Sequence, residues 1–203
     1  NIPGTILLLI FGLFLLALFL LGPWLITALS RQKHVVGMFV LFCTLVLCAF
    51  YVVYPIHDSG QLGFASDRDE AIDVGVNQLF EGKYPYQCRA VSGIHEGCPT
   101  QGNPIAPMPG AMLLASPFVA LTGRSAVQNF LWLTGFFLAA GSWLQSRKIS
   151  AAYLNTMMLL APVVAAEIAS GGDLLANSLA VSATLILALS SSNSRTQVLW
   201  ALL

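Results

Sequence analysis

Seven of the nine carboxylates fall between residues 55 and 109: Asp58, Asp67, Asp69, Glu70, Asp73, Glu81 and Glu96. Asp67, Asp69 and Glu70 crowd together with only Arg68 among them. Asp69, Asp73 and Asn77 are spaced four residues apart, while Ile72, Val76, Leu79 and Phe80 recur at helical spacing on another side. The run 69–81 is therefore predicted to be an amphipathic helix with its acids sharing one face. A carboxylate at its N-terminal end can cap free backbone N–H groups and meet the positive end of the helix dipole. The same group, held near an apolar surface, can take a proton from a hydroxyl. Both readings stay open for Asp67 and Asp69. Oxygens this close could also hold Mg²⁺ or Mn²⁺, although hard-cation sites leave no readable spacing here.

The remaining two acids, Glu167 and Asp173, flank Gly171 and Gly172. Glu167 closes an apolar run, where an ionisable side chain is costly unless paired or functional. Asp173 opens the next apolar run and can serve as its N-cap.

Other reactive side chains are few. Cys88 and Cys98 lie eleven-residue-close in the acidic interval and suit a disulfide if it faces an oxidising compartment. A metal site of Cys88, His95 and Cys98 lacks a fourth ligand at zinc spacing. Cys43 and Cys48 read as filler within an apolar span. His34 belongs to a short basic turn, and His57 to the acidic interval. No glycine-rich phosphate loop, paired CxxC or nucleophile elbow is present.

The elements that must position these acids are oily. The chain has 203 residues, 57% hydrophobic and 9% charged, with a mean hydropathy of +0.78. Soluble domains carry roughly a quarter charged residues, so the predicted class is all-α, a polytopic transmembrane helix bundle with a large external loop. The zero net charge offers no basic face for nucleic acid. Spans are predicted at 5–29, 35–54, 126–145, 150–170 and 174–189, with a sixth starting at 197–203. Residues 110–123 are too short to cross, carry Pro117, and are predicted to lie in the interface. The run 5–29 is too long for a signal peptide's apolar region and has no basic leader. The chain starts at Asn1 and stops inside an apolar run, which reads as a fragment or a processed protein.

Basic residues in short turns orient the spans. Arg31 and Lys33, Arg147 and Lys148, and Arg195 are all predicted cytoplasmic, which holds only if 110–123 does not cross. The loop 55–109 and the turn at Gly171, Gly172 and Asp173 then share the non-cytoplasmic face of a plasma or inner membrane. A single acidic pocket there is the central expectation.

From Asp67 onward the pattern resembles the GT-C class of membrane glycosyltransferases that use polyprenyl-phosphate sugars, including mannosyltransferase and aminoarabinose-transferase types. Asp69 and Glu70, with Asp67 before them, open the first large external loop. Leu79, Phe80, Glu81, Gly82, Lys83, Tyr84, Pro85 and Tyr86 resemble the family's Leu-Leu-x-Gly-x-Pro-Tyr ending. The proline-rich stretch 104–110 leads into Leu113, Leu114, Ala115, Ser116, Pro117 and Phe118, similar to the family's interfacial helix. Ser170, Gly171, Gly172, Asp173, Leu174 and Leu175 resemble its second external turn. The likeness covers residues 60–190. It departs in an additional span ahead of the loop, and the C-terminal portion that often holds donor-binding groups has no counterpart.

The resemblance implies that a loop acid, Asp67 or Asp69 with Glu70 beside it, orients or deprotonates the acceptor. It implies cations near the surface for the donor phosphate, for which Arg68, Lys83, Arg89 and Arg124 are the candidates. The implied partners are a lipid-linked sugar donor and membrane lipid. A transporter or flippase using Glu167 and Asp173 as a coupling pair is the rival expectation. A noncatalytic membrane scaffold is the third.

Overall fold

The computed structural model describes residues 4–58, 68–86 and 107–202. Every regular element among the described residues is helical. The chain forms α1 (Gly4–Ser30), α2 (Val35–Asp58), α3 (Arg68–Phe80) and α4 (Pro109–Thr122). A 3₁₀ turn (Ser125–Val127) leads into α5 (Gln128–Trp143), followed by α6 (Arg147–Leu160), α7 (Pro162–Ser170), α8 (Leu174–Ser190) and α9 (Ser194–Leu202).

The predicted limits of the helices at 5–29, 69–81, 110–123 and 174–189 each agree with the structure within a residue. Two predicted spans are corrected. Residues 150–170 are not one helix: α6 and α7 meet at an 89° bend. Pro162 is the cause, because it brings no N–H and forces the residue before it out of helical backbone. Ala161 accordingly sits at φ −128°, ψ 73°. The predicted span 126–145 is also shorter, since its first turn is 3₁₀ and α5 begins only at Gln128.

Among the described residues, one helix is long and apolar enough to cross a bilayer unaided, Val35–His57 within α2. Pro55 interrupts its last turn, and the helix nevertheless runs four residues beyond the predicted end. α5, α6 and α8 have 16, 14 and 17 residues, below the roughly 20 of a straight crossing. α4 turns 106° away from the segment Ser125–Trp143 that follows it. Gly123, left-handed at φ 77°, ends α4 at that corner.

Three packed clusters hold these helices. The largest joins α2, α5, α6, α7 and α8 through side chains such as Phe39, Leu133, Leu154, Ile168 and Leu179. Ala139, Ala140, Ala151, Ala152 and Ala183 belong to it, and small side chains let helix backbones approach closely. A second cluster seats α3 on α4: Ile72 and Val76 against Met112, Ala115 and Val119. Between them Phe50 and Tyr54 of α2 close on Ala126. That middle cluster is the joint between the polar layer and the oily bundle. Outward, apolar side chains such as Leu41, Leu45, Tyr51 and Val52 on α2 remain exposed, as they would toward lipid.

Candidate functional site

Asp69 sits in the first turn of α3 and is buried, with 3% of its surface exposed. One turn later Asp73 accepts a hydrogen bond from the Ser125 backbone N–H at 2.7 Å. The Ser125 hydroxyl donates to the Asp69 carbonyl oxygen at 3.4 Å. Ser125 itself is buried. Two bonds thus fasten the N-terminal half of α3 to the 3₁₀ turn ahead of α5. They give the free N–H of a helix start a carboxylate partner, as such ends require. Glu70 points outward and is exposed, because it lies off the face that carries Asp69 and Asp73.

The next residues of the same turn reach the second acidic region. Asn129, fully buried, donates from Nδ2 to the Gly172 carbonyl oxygen at 2.8 Å. Gly171 is left-handed at φ 84°. The Tyr54 ring lies where any side chain on Gly171 would go, and Ala126 is 3.1 Å from that position. Glycine is required there twice over, by conformation and by space. Asp173 is buried at 3% exposure, and its Oδ2 accepts from Asn177 Nδ2 at 3.1 Å. Its side chain makes no capping bond to α8, so the expected N-cap role is replaced by the link to Asn177. The Glu167 carboxyl folds over Gly172 and occupies the space a side chain there would need.

Asp69, Asp73, Glu167 and Asp173 are therefore gathered at one end of the bundle, around Ser125, Asn129 and the Gly171–Gly172 turn. Arg124 brings the cation. Its guanidinium lies 5.1 Å above the Tyr54 ring, a cation–π distance, and the side chain is exposed. Tyr54 stacks in turn on Phe50 at 4.8 Å. Lys83 is not brought here. It pairs with Glu81 at 2.5 Å beyond the other end of α3, both side chains exposed, about 20 Å along the helix from Asp69. Asp67, Cys88, Arg89, His95, Glu96 and Cys98 lie outside the described residues, as does the side chain of Arg68.

Among the described residues no group of three or more His, Cys, Asp and Glu is arranged to hold a metal ion. Sequence reasoning missed Tyr54, Asp73, Ser125, Gln128 and Asn129 as members of the site. Gln128 and Asn129 carried a signal: two adjacent amides at the start of an apolar run, both now buried at 1% exposure or less. Buried amides are costly unless they bond something; Asn129 bonds Gly172 through its nitrogen, while the side-chain oxygens of Gln128 and Asn129 meet no protein donor.

No family model, curated protein or solved structure matches the chain. Its functional reading therefore rests on this geometry: buried acids, a half-turn of buried amides and one exposed arginine at the end of an apolar helix bundle.

Proposed function

We propose that the chain belongs to a polytopic membrane glycosyltransferase of GT-C type, moving a sugar from a polyprenyl-phosphate donor to an acceptor on the non-cytoplasmic face. The observation that carries this reading is the burial of Asp69 at a junction tied through Ser125 and Asn129 to the turn of Gly172 and Asp173. A merely decorative loop acid would stay in water. Shielded from water, a carboxylate is a stronger and better-aimed base.

In this reading Asp69, or Asp67 just before it, accepts the proton of the acceptor hydroxyl as that oxygen attacks the anomeric carbon. The bond from that carbon to the lipid phosphate oxygen breaks, and the polyprenyl phosphate departs with its charge met by Arg124. Asp73 and Asn129 act as positioning residues. The short α5, α6 and α8 then cross a locally thinned bilayer, α5 and α6 as parts of bent pairs, with Arg31, Lys33, Arg147, Lys148 and Arg195 on the cytoplasmic side.

The test is transfer from a radiolabelled polyprenyl-phosphate sugar by the full-length protein in liposomes. Asp69→Asn and Asp67→Asn are made separately, at matched expression and thermal stability. One of them lowers the rate by about 10²-fold or more, the usual worth of a positioned acid or base. Wild-type rates from both variants overturn the site.

One observation favours a second reading. The 89° break between α6 and α7 at Pro162 places a helix interruption five residues before Glu167, and a broken helix that carries an acid is a transporter feature. Proton-coupled solute flux that is lost in Asp173→Asn, without any sugar transfer, would select it.

A further inference from the structure

A cavity of about 350 Å³ lies between α1 and α6, and none of its lining residues belongs to the acidic junction. Its volume is within the range of small-molecule pockets. Phe19, Gly22 and Pro23 line it from α1, and Tyr153, Thr156 and Leu160 from α6. The walls are almost wholly apolar. One feature is not: the Thr156 hydroxyl, on a side chain 4% exposed, has no hydrogen-bond partner. It is one of five buried side-chain polar atoms without a partner among the described residues, and the contrast is with other helical threonines. Thr27, Thr44, Thr122, Thr134 and Thr184 each donate to the carbonyl four residues back along their own helix. A buried hydroxyl left unmade costs free energy that an occupant's acceptor would recover.

Two further observations select the occupant. First, the groove continues into apolar surface that faces outward, with Leu16, Phe19, Leu20 and Trp24 of α1 exposed. Gly22 meets no atom within 4 Å of where a side chain would start, so the groove is open along that helix. Second, the two helices that form it carry the cations. Arg31 and Lys33 follow α1, and Arg147 and Lys148 open α6, all four exposed. Asn155 Nδ2 donates to the Val35 carbonyl oxygen at 3.1 Å, which ties the start of α2, just after the 31–34 turn, to the second half of α6. Thr156 stands nine residues into α6 from Arg147, about 13 Å. Long cationic side chains extend along a helix toward the headgroup layer.

We infer that the α1–α6 groove is a binding site for one anionic diacyl phospholipid. Its phosphate sits among Arg31, Lys33, Arg147 and Lys148, an ester carbonyl accepts from the Thr156 hydroxyl, and the acyl chain runs past Gly22 toward Phe19 and Leu160. The site requires only that α1 and α6 meet lipid, and is independent of the transferase reading.

The experiment is native mass spectrometry of the full-length, delipidated protein exposed to equal amounts of phosphatidylglycerol and phosphatidylcholine with identical chains. Phosphatidylglycerol is retained in preference. Arg31→Gln and Arg147→Gln each lower that preference by about fivefold, the worth of one basic residue at an anionic surface. Gly22→Leu, which fills the groove, loses both lipids. Diester phosphatidylglycerol outcompetes its diether analogue in the wild type, and Thr156→Val removes that difference while leaving the charge preference intact. Equal retention of the two headgroups by the wild type overturns the proposal, as does unchanged retention by Gly22→Leu. A wild-type dimer that Gly22→Leu converts to monomer also overturns it, by assigning the groove to a second copy.

Discussion

The acidic junction and the α5–α8 seam hold helices together by opposite means. At the seam, Leu133, Ala139, Ala140, Leu179 and Ala183 pack side by side with no polar bond between them. Its strength is the sum of many small dispersion contacts. At the junction three bonds and two glycines do the joining: Asp73 to Ser125, Ser125 to Asp69, Asn129 to Gly172, with Tyr54 laid on Gly171. A surface built from many weak contacts degrades gradually under substitution. One built from a few specific contacts fails sharply, and such a surface is the kind that can aim a reacting group.

The sharpest break is at Gly171. An alanine there must take a left-handed backbone, and its methyl overlaps the Tyr54 ring. That ring is 3% exposed and stacked on Phe50, so it has nowhere to go. Gly171→Ala is expected to cost about 3 kcal/mol from backbone strain and overpacking together, read as a fall in the thermal midpoint in detergent. Gly172→Ala meets only the far end of the Glu167 side chain, which can swing aside, and should cost much less. Equal effects at the two glycines would show that the junction is no more specific than the seam.

Next is Asp73→Ala. It removes the acceptor of the buried Ser125 N–H, and an unsatisfied buried donor costs about 2 kcal/mol. The expected readout is faster proteolysis after Arg124 as α3 loosens. Ala180→Gly in α8, which loses helix preference and one buried methyl, sets the comparison at about 2 kcal/mol with no change in cleavage. If both variants loosen α3, the two regions are not mechanically separate.

Much of this contrast was legible beforehand. The helix 69–81 was readable because Ile72 and Val76 repeat at helical spacing, and those two residues bury against α4. The meeting of the loop acids with the Gly171–Gly172 turn was expected from assigning the basic turns to one side, and the bonds through Ser125 and Asn129 join the two regions. Asp73's role was not readable, because its partner is a backbone N–H 52 residues away, and backbone donors have no sequence signature. The break at Pro162 was hidden by its setting. In an apolar run a proline can merely kink a helix, and only the packing of α7 against α2 decides for an 89° turn. The partner of Asn129 was hidden for a similar reason, since two adjacent amides at the start of an oily run do not announce which carbonyl they will meet.

The smallest expected effect lies at the edge of the polar layer. Tyr86 donates its hydroxyl to the Pro107 carbonyl oxygen at 2.6 Å, joining the end of the α3 segment to the start of α4. Burial, and the neighbouring Tyr84 to a lesser degree, raise its pKa above the ordinary tyrosine value. The bond needs the protonated phenol, so its contribution is whole below the unfolded-state pKa and is lost as pH climbs through the raised folded value. Thermal stability should therefore sag above about pH 10 in the wild type and less in Tyr86→Phe. At neutral pH the same variant should lose only about 1 kcal/mol, because Ile72, Val76 and Met112 still seat α3 on α4 without it. An unaltered alkaline limb in Tyr86→Phe would mean that apolar packing alone fixes this corner, and that the specific bonds are confined to the half of α3 carrying Asp69 and Asp73.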